Sequence, residues 1–278
     1  MSTDSPNSAP AVAEYALEVA AVTDVGTGRA LNEDACGVHV DGPTCALVVV
    51  ADGVSSSEAG EVASQMAVEV VLRAYREQPA ALGAGQRLYR AVQQANIEIY
   101  DKSIAVPELR GMATTLTAAV VDRGQLTVVH VGDSRAYLLR DGVMTQVTKD
   151  HTLAAQKSRY GLLSRERART HADRCVLTRS VGRELIVTRD QSTQQLGQGD
   201  RLVLCSDGLY NVLSDAEIAA TMEGHDVTSA CHALIAAAND RGTPDNVSAA
   251  ILRLVGSAPG RQPAPGPWTR LLRRVGIG

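Results

Sequence analysis

Acidic residues stand at the ends of apolar, strand-like runs at several places in this sequence. Asp52 follows the run LVVVA and Asp207 follows the run LVLCS, and a glycine comes directly after each of them. Asp133 follows a third such run, and Asp245 precedes the last one. A carboxylate at the end of a strand is held by a rigid element, and a following glycine lets backbone or a ligand approach closely.

A further acidic pair, Glu33 and Asp34, precedes the segment ACGV. Carboxylates that converge on one place repel each other unless a cation offsets their charge. Oxygen ligands with few histidines or cysteines favour Mg²⁺ or Mn²⁺ over zinc. Any one aspartate could be a turn residue, because Asp-Gly is common in turns. Turn chemistry does not explain the same strand–Asp–Gly arrangement at both Asp52 and Asp207, and we therefore predict a divalent metal site.

A basic residue lies close to these acids in the sequence. Arg29 comes four residues before Glu33 and five before Asp34. A guanidinium fork beside a metal centre is suited to hold a phosphate group through two parallel hydrogen bonds. The alternative for an isolated arginine is a surface loop residue.

Composition limits the classes of protein to which the chain can belong. It has 278 residues, of which 45% are apolar and 21% charged, with a net charge of −4. That balance argues against a dedicated nucleic-acid binder, which would be basic. There is no Phe, so we expect a core of Val, Leu, Ile and Ala. The longest apolar run is far shorter than the roughly 20 residues that span a bilayer.

The ends and the cysteines favour a cytoplasmic protein. The first ten residues lack the basic and apolar segments of a secretory signal. Five scattered cysteines without a C-x-x-C pair argue against a disulfide framework or a structural zinc site, so we expect reduced thiols.

Hydrophobic periodicity predicts blocks of strands and helices rather than alternating β–α–β units, which indicates a layered α+β fold. The polar, Arg-rich segment 151–174 is expected to be a solvated excursion, and Asp141-Gly142 a hairpin turn. Strands are predicted at Ala16–Thr23, Gly37–Val40, Cys45–Ala51, Thr115–Val121, Leu126–Val131, Ala136–Arg140, Met144–Val147, Leu202–Cys205 and Val247–Leu254. Helices are predicted at Ala59–Tyr75, Gln86–Tyr100, Ser214–Thr221 and Val227–Asn239.

Eight segments, in order and spacing, resemble the bacterial metal-dependent Ser/Thr protein phosphatases of the PP2C (PPM) family. The resemblance extends over roughly residues 15–254, nearly the whole chain. Single pairs such as Asp-Gly are weak signals, but eight blocks in order are specific. The segments are RALNEDA (Arg29–Ala35), VVVADGV (Val48–Val54), GMATTLTAAVV (Gly111–Val121), HVGDSRAYLLRDG (His130–Gly142), TKDHT (Thr148–Thr152), LTRSVG (Leu177–Gly182), LCSDGLYNVLSD (Leu204–Asp215) and DNVSAAIL (Asp245–Leu252).

The resemblance implies a four-layer αββα sandwich, in which two antiparallel β-sheets are flanked by helices. It implies a phosphatase domain over residues 15–255, with a variable flap at about 151–175 that borders the cleft and influences substrate choice. We expect residues 1–14 to form a flexible leader, and residues 256–278 a Pro/Gly linker followed by a basic amphipathic tail.

The resemblance also implies roles for individual residues at a two-metal centre. Asp52 matches the carboxylate that bridges two Mn²⁺ or Mg²⁺ ions, and the Gly53 carbonyl matches a ligand of one ion. Asp207 and Asp245 match ligands of the other ion. Asp133 matches the residue that, with Asp207, can hold a third and weaker ion.

Three further matches concern catalysis. Glu33 and Asp34 match acids that act near the metals, directly or through bound water, and Asp34 is also expected to be a metal ligand. Arg29 matches the phosphate-binding arginine. The implied activity is hydrolysis of phosphoserine and phosphothreonine by a metal-bridging water, without a covalent intermediate. The expected partners are phosphorylated proteins produced by a Ser/Thr kinase, with no nucleic acid, and we expect a monomer.

The sequence departs from the family pattern in the loop after Asp52. The usual Asp-Gly-x-Gly-Gly is replaced here, because Ser55–Ser57 follow Val54. This change leaves open an inactive relative that binds phosphoproteins without cleaving them, and a phosphatase for small phosphoesters is a third alternative. The proton donor to the leaving group is unassigned, since His151 is either that donor or a structural residue. The tail 268–278 is either frayed or a membrane or docking peptide.

Overall fold

The computed structural model describes residues 15–54, 59–79 and 81–256. The expected leader, the Ser55–Ser57 loop and the C-terminal tail lie outside these described residues. Within them the chain forms ten β-strands, seven α-helices and two short 3₁₀ helices. The strands are β1 (Tyr15–Asp24), β2 (Asp34–Val40), β3 (Cys45–Asp52), β4 (Leu116–Asp122), β5 (Gln125–Val131), β6 (Arg135–Arg140), β7 (Val143–Gln146), β8 (Asp190–Gln195), β9 (Arg201–Cys205) and β10 (Val247–Gly256).

Each predicted helix is present, and the flap contributes two more. The helices are α1 (Gly60–Glu77), α2 (Ala84–Ala105), α3 (Leu153–Arg159), α4 (Arg165–Thr170), α5 (Asp207–Tyr210), α6 (Asp215–Glu223) and α7 (Val227–Asp240). Ser214 caps α6 in a reciprocal capping box with Glu217.

The strands form two five-stranded sheets, in which every pairing described is antiparallel. The first sheet has the order β1-β10-β9-β6-β7, and the second has the order β2-β3-β4-β5-β8. Three apolar layers hold the sheets and helices together: α1 and α2 pack on the second sheet, α6 and α7 pack on the first, and a third layer fills the space between the sheets.

Alternation of side chains along the central strands explains how one strand serves two layers. In β3, Val48 and Val50 point between the sheets, whereas Leu47 and Val49 point toward the helices of the second sheet. All four are fully buried. A strand with apolar residues on both faces reads as a continuous apolar run, and this is how β3 reads in the sequence. The result is the predicted four-layer α+β sandwich with an aliphatic core.

Two tight hairpins fix the register near the centre of the sheets. Asp141 and Gly142 join β6 to β7 with φ values of 51° and 74°, so the Asp-Gly turn that the sequence predicted is confirmed. Arg123 and Gly124 join β4 to β5 with φ values of 48° and 79°. Positive φ at both turn residues matches the twist of the flanking strands.

Outside the flap, one strand and one α-helix were not predicted from the sequence. Strand β8 reads DQSTQQ and has no apolar alternation, because it lies at the edge of the second sheet and packs few side chains into the core. Helix α5 is a single turn that begins at Asp207, too short for a helical period to be visible. None of the helices in the described part of the chain is both long and apolar enough to span a membrane.

The inter-sheet layer predicts a large stability cost for one substitution. Leu204→Ala should lower the free energy of unfolding by about 2–5 kcal/mol, because it empties a fully buried site between the sheets. Ile104→Ala should change it by less than about 0.5 kcal/mol, since Ile104 is 66% exposed. Urea unfolding followed by circular dichroism measures both, and equal effects would contradict the assigned layers.

Candidate metal centre

Asp34 and Asp52 lie side by side at the same edge of the second sheet. They are direct partners in the antiparallel pairing of β2 with β3. The backbone around them is tightly packed: Gly53 N donates to the Glu33 carbonyl at 2.9 Å. A Cβ on Gly53 would lie 2.4 Å from the Gly60 carbonyl oxygen, so only glycine fits there. The close approach that the Asp-Gly pattern predicted is therefore present.

The Gly111–Thr115 segment holds Asp52 from the other side. The Thr114 hydroxyl donates to the Asp52 carbonyl at 2.9 Å, and Asp52 N donates to the Thr115 hydroxyl at 3.0 Å. Thr115 N also donates to the Asp52 carbonyl at 2.8 Å. Both threonines are buried, and their contacts hold the backbone of Asp52 in place.

The second Asp-Gly pair brings Asp207 close to Asp245. Asp207 begins α5 directly after β9, and Asp245 lies immediately before β10, which pairs with β9. A Cβ on Gly208 would lie 2.0 Å from the Asn246 carbonyl oxygen, so glycine is required for this approach. Asn211 Nδ2 donates to the Asp207 carboxylate at 3.0 Å.

Asp133 lies on the short link between β5 in the second sheet and β6 in the first. The Tyr210 hydroxyl donates to the Asp133 carbonyl at 3.1 Å. The Arg135 guanidinium lies 3.7 Å from the centre of the Tyr210 ring and forms a forked pair with Asp150, with a shortest distance of 2.7 Å. This network attaches the Asp133 link to α5, the element that carries Asp207.

The acids at this edge influence one another electrostatically. Burial, followed by repulsion from Asp34 and Asp207, holds the pKa of Asp52 well above its usual range. Burial and then repulsion from Asp245 raise the pKa of Asp207 to about 6. Burial and then repulsion from Asp207 also hold the pKa of Asp133 well above its usual range. These effects link Asp34, Asp52, Asp133, Asp207 and Asp245. Glu33 directly precedes Asp34 and lies 3.7 Å from Arg29, which also contacts Asp245. We call these six acids the carboxylate cluster.

Asp34 is the most enclosed member of the carboxylate cluster. Its Oδ2 atom accepts hydrogen bonds from the hydroxyls of Ser206 at 2.6 Å and Ser248 at 2.8 Å. The Ser206 hydroxyl also accepts from Ser248 N at 3.0 Å. Burial raises the pKa of Asp34 to about 7, even though the two serine hydroxyls favour its ionised form. We call Ser206 and Ser248 the serine clamp.

Arg29 lies against the cluster, where it contacts two acids. Its guanidinium donates to Asp245 Oδ2 at 3.0 Å and lies 3.7 Å from Glu33 Oε2. The Arg29 side chain is 34% exposed, so one side of the fork faces solvent. Although burial opposes the charge, attraction to Asp245 and then Glu33 gives a net rise in the pKa of Arg29.

His151, which the sequence left as a candidate proton donor, is held in a structural role. It is buried, and its Nδ1 atom accepts from Gly132 N at 3.1 Å. The other ring nitrogen lies 3.3 Å from Asp190 Oδ2. His151 N also donates to the Gly132 carbonyl at 2.7 Å. These contacts fix the link that carries Asp133 and engage both ring nitrogens with protein atoms.

The donor types in the cluster fit a hard divalent cation, because all of them are oxygen atoms and most of the acids are buried. In the described residues, no three His, Cys, Asp and Glu side chains are already grouped as a closed ligand set. The hydrogen bonds explain this arrangement: Asp34 is turned toward the serine clamp, Asp245 toward Arg29, and Asp207 toward Asn211. The fit to a divalent cation is therefore one of ligand chemistry and charge.

The sequence identified the acids of this site but missed the residues that hold them. All six predicted acids and Arg29 lie at one edge of the sandwich. The serine clamp, Asn211, Tyr210 and Arg135 were not predicted, because each makes its contact through the folded structure. The sequence offered one indication of the serine clamp, which is closeness to the predicted acids: Ser206 directly precedes Asp207, and Ser248 lies three residues after Asp245.

Comparisons with known proteins point to one family. The family model for protein phosphatase 2C matches residues 27–249. The serine/threonine phosphatase stp of Listeria innocua is 36% identical over 234 residues, which cover 83% of this chain and 93% of that protein. The serine/threonine protein phosphatase PstP of Mycobacterium tuberculosis is 37% identical over 240 residues, which cover 86% of this chain and 45% of that protein.

A solved structure extends the likeness to three dimensions. The catalytic domain of PstP, crystallised in complex with two manganese ions, superimposes with a TM-score of 0.76 at 34% identity. The match covers 87% of this chain and 100% of that one. The family expected from the eight sequence segments is therefore confirmed, and this chain belongs to the protein phosphatase 2C family.

Proposed function

We propose that the protein is a metal-dependent phosphatase that hydrolyses phosphoserine and phosphothreonine in proteins. The observation that carries this proposal is the carboxylate cluster: several buried acids raise one another's pKa, and an arginine lies beside them. Such a cluster is costly unless cations bind to it. The printed names of the relatives and the two manganese ions in the PstP structure support the same activity.

The proposed ligands are those that the family resemblance implies. Asp52, at the centre of the repulsion, is the acid that would bridge two Mn²⁺ or Mg²⁺ ions, with the Gly53 carbonyl as a ligand of one. Asp207 and Asp245 would hold the other ion. Asp133, which Asp207 repels, would share a third ion with Asp207. Glu33 and Asp34 would complete the coordination of the ions, either directly or through bound water.

The chemistry divides between the ions and the chain. Two bound divalent ions would acidify a shared water and stabilise the oxygens that enter and leave phosphorus. Arg29 would exchange one carboxylate partner for the phosphate, and its fork would orient two non-bridging oxygens and neutralise charge on them. Asp34, held by the serine clamp, would accept a hydrogen bond from the attacking water.

No protein nucleophile enters this proposal. Burial raises the pKa of Cys36, Cys205 and Cys231 to about 12 in each case. These thiols would remain protonated at neutral pH and could not serve as the thiolate that a cysteine-dependent phosphatase requires. The protonated state of these thiols is consistent with hydrolysis that forms no covalent intermediate.

The biological setting is part of the same proposal. The substrates would be phosphoproteins made by a Ser/Thr kinase, and the enzyme would act on them in the cytoplasm as a monomer. Nucleic acid is not among the proposed partners. A net charge of −4 carries little attraction for a polyanion.

The central prediction concerns one ligand. The protein should hydrolyse a phosphothreonine peptide with Mn²⁺ and not with EDTA, and Asp207→Asn should lower kcat/KM at least about 100-fold, since a buried ligand charge is lost. Phosphate release measures the activity, and calorimetric Mn²⁺ titration measures the binding. Asp226→Asn, which alters an exposed helix-capping acid, is the matched control.

Each outcome has a defined meaning. Full activity in Asp207→Asn would contradict the ligand assignment. Mn²⁺ binding without turnover on any phosphoester would favour the inactive phosphoprotein-binding relative. Faster hydrolysis of nucleotides than of peptides would favour a phosphatase for small molecules.

The raised pKa values predict that Mn²⁺ affinity depends on pH. Mn²⁺ binds ionised carboxylates, and the pKa is about 7 for Asp34 and about 6 for Asp207, so the ion competes with protons near neutrality. Lowering the pH from 7.5 to 5.5 should weaken binding at least about tenfold. Calorimetric titration in two buffers with different ionisation enthalpies gives affinity and proton release together. Constant Mn²⁺ affinity without proton release would contradict the raised pKa values of Asp34 and Asp207, provided that circular dichroism shows an intact fold.

The serine clamp predicts a role for two hydroxyls that touch no substrate. Ser206→Ala or Ser248→Ala should weaken Mn²⁺ binding about 10- to 100-fold, because Asp34 loses a group that orients it and favours its ionised form. Calorimetric titration at pH 7.5 measures the loss. Ser103→Ala is the control, since Ser103 is equally buried in α2 and bonds only the Tyr100 carbonyl. Unchanged affinity in both clamp variants would show that Asp34 is oriented by other contacts.

A further inference from the structure

The charge of the chain is divided unequally between the flap and the rest of the chain. The flap, residues 151–175, contains six basic and two acidic residues, which gives a net charge of +4. The other 253 residues contain 21 basic and 29 acidic residues, a net charge of −8. A small basic segment on an acidic protein is a local feature that the overall charge of −4 conceals.

The flap lies next to the carboxylate cluster. Arg174 Nη1 donates to Asn211 Oδ1 at 2.9 Å, and Asn211 in turn donates to the Asp207 carboxylate. Arg174 is also among the charges that lower the pKa of Asp207. A second contact joins Arg169 in α4 to Asp215 at the start of α6, at 4.0 Å. The basic flap therefore borders the side of the cleft formed by α5 and the start of α6.

Part of the positive charge on the flap is not neutralised by an ion pair within the described part of the chain. Arg159 and Arg167 are exposed, and among the described residues neither forms an ion pair with a carboxylate. By contrast, Lys157 is paired with Asp173, which also lies beside His171. Arg159 rests over the Tyr160 ring at 5.5 Å, a contact that leaves its charge intact. These exposed guanidinium groups are available to anionic groups on a ligand.

The scaffold under these charges is ordered by its own capping. Thr152 caps α3 and Ser164 caps α4: the Thr152 hydroxyl accepts from Ala155 N, and the Ser164 hydroxyl accepts from Arg167 N. Thr178 N donates to the His151 carbonyl at 2.8 Å, which anchors the far end of the flap to the link beside Asp133. The flap thus presents its arginines from a defined surface rather than from a featureless loop.

We propose that the basic flap binds acidic side chains that flank the phosphorylated residue, so that the enzyme prefers phosphopeptides rich in Asp and Glu. This inference rests on the proposed phosphatase function and names the substrate class for that site. Arg29 would take the phosphate, and the flap would take carboxylates a few residues away along the peptide. The acidic rest of the protein would disfavour basic peptides at the same time.

The size of the preference follows from exposed ion pairs. One such pair in water contributes little, and two or three give about a three- to tenfold preference in kcat/KM. The effect should appear mainly in KM, because flap contacts form on binding and are remote from the reacting atoms. It should shrink as salt rises from 20 to 500 mM, since the Debye length falls from roughly 20 Å to about 4 Å.

The test uses the Mn²⁺-loaded full chain and three phosphothreonine peptides of equal length, with Asp/Glu, Ala or Lys/Arg at the flanking positions. The acidic peptide should have the highest kcat/KM and the basic peptide the lowest, with the difference in KM. The double charge reversal Arg159→Glu/Arg167→Glu should abolish or reverse the ratio between these two peptides. The matched control, Arg90→Glu/Lys102→Glu on α2, changes the same charge on the helical layer of the second sheet and should keep the ratio.

The outcomes separate this inference from the function on which it rests. Equal kcat/KM for the three peptides, with Mn²⁺-dependent turnover of each, would overturn the flap proposal and leave the phosphatase proposal intact. The flap proposal would also be overturned if the control variant reversed the preference for the acidic peptide as strongly as the flap variant does. The preference would then depend on the net charge of the protein and not on the flap. No Mn²⁺-dependent turnover of any peptide would overturn the proposed function and this inference together.

Discussion

The structure depends on holding several carboxylates together at one poorly hydrated edge of a β-sandwich. Burial and mutual repulsion raise the pKa of Asp34, Asp52, Asp133 and Asp207, and a buried unpaired carboxylate is costly in free energy. The local geometry around them is correspondingly constrained. Gly208, for example, has no room for a side chain, and this close approach sets Asp207 beside the start of β10. The fold thus accepts charge repulsion and a close backbone approach where the proposed ions would bind.

The same edge is where the two sheets are joined by polar contacts. Asp34 belongs to β2 of the second sheet, whereas its partners Ser206 and Ser248 belong to the end of β9 and to β10 of the first. Asp133 lies on the chain segment that crosses from one sheet to the other. The spacing of the acids is therefore tied to the spacing of the sheets, which the aliphatic layer between them sets. Apolar packing between the sheets therefore also sets the geometry of the carboxylate cluster.

Much of the fold and the acids of the site could be predicted from the sequence, and the reasons are local. Apolar periodicity marks buried strands and amphipathic helices, and Asp-Gly marks both the hairpin at Asp141 and the acids at strand ends. Strand β8 was missed because an edge strand needs no apolar side chains. The partners of Asp34 were missed because Ser248 lies 214 residues away in sequence, and no local pattern reports such a contact.

The distribution of charge follows from the same constraint. A cluster of acids that binds cations cannot also be strongly basic around its rim without losing affinity for the ions, so positive charge must be kept at a distance or paired. Arg29 is paired with Asp245, and Arg174 reaches Asp207 only through the neutral amide of Asn211. Arg159 and Arg167 lie on the flap, and both are exposed. The proposed attraction for metal ions and the proposed attraction for an anionic substrate could then coexist, because they would act through different side chains.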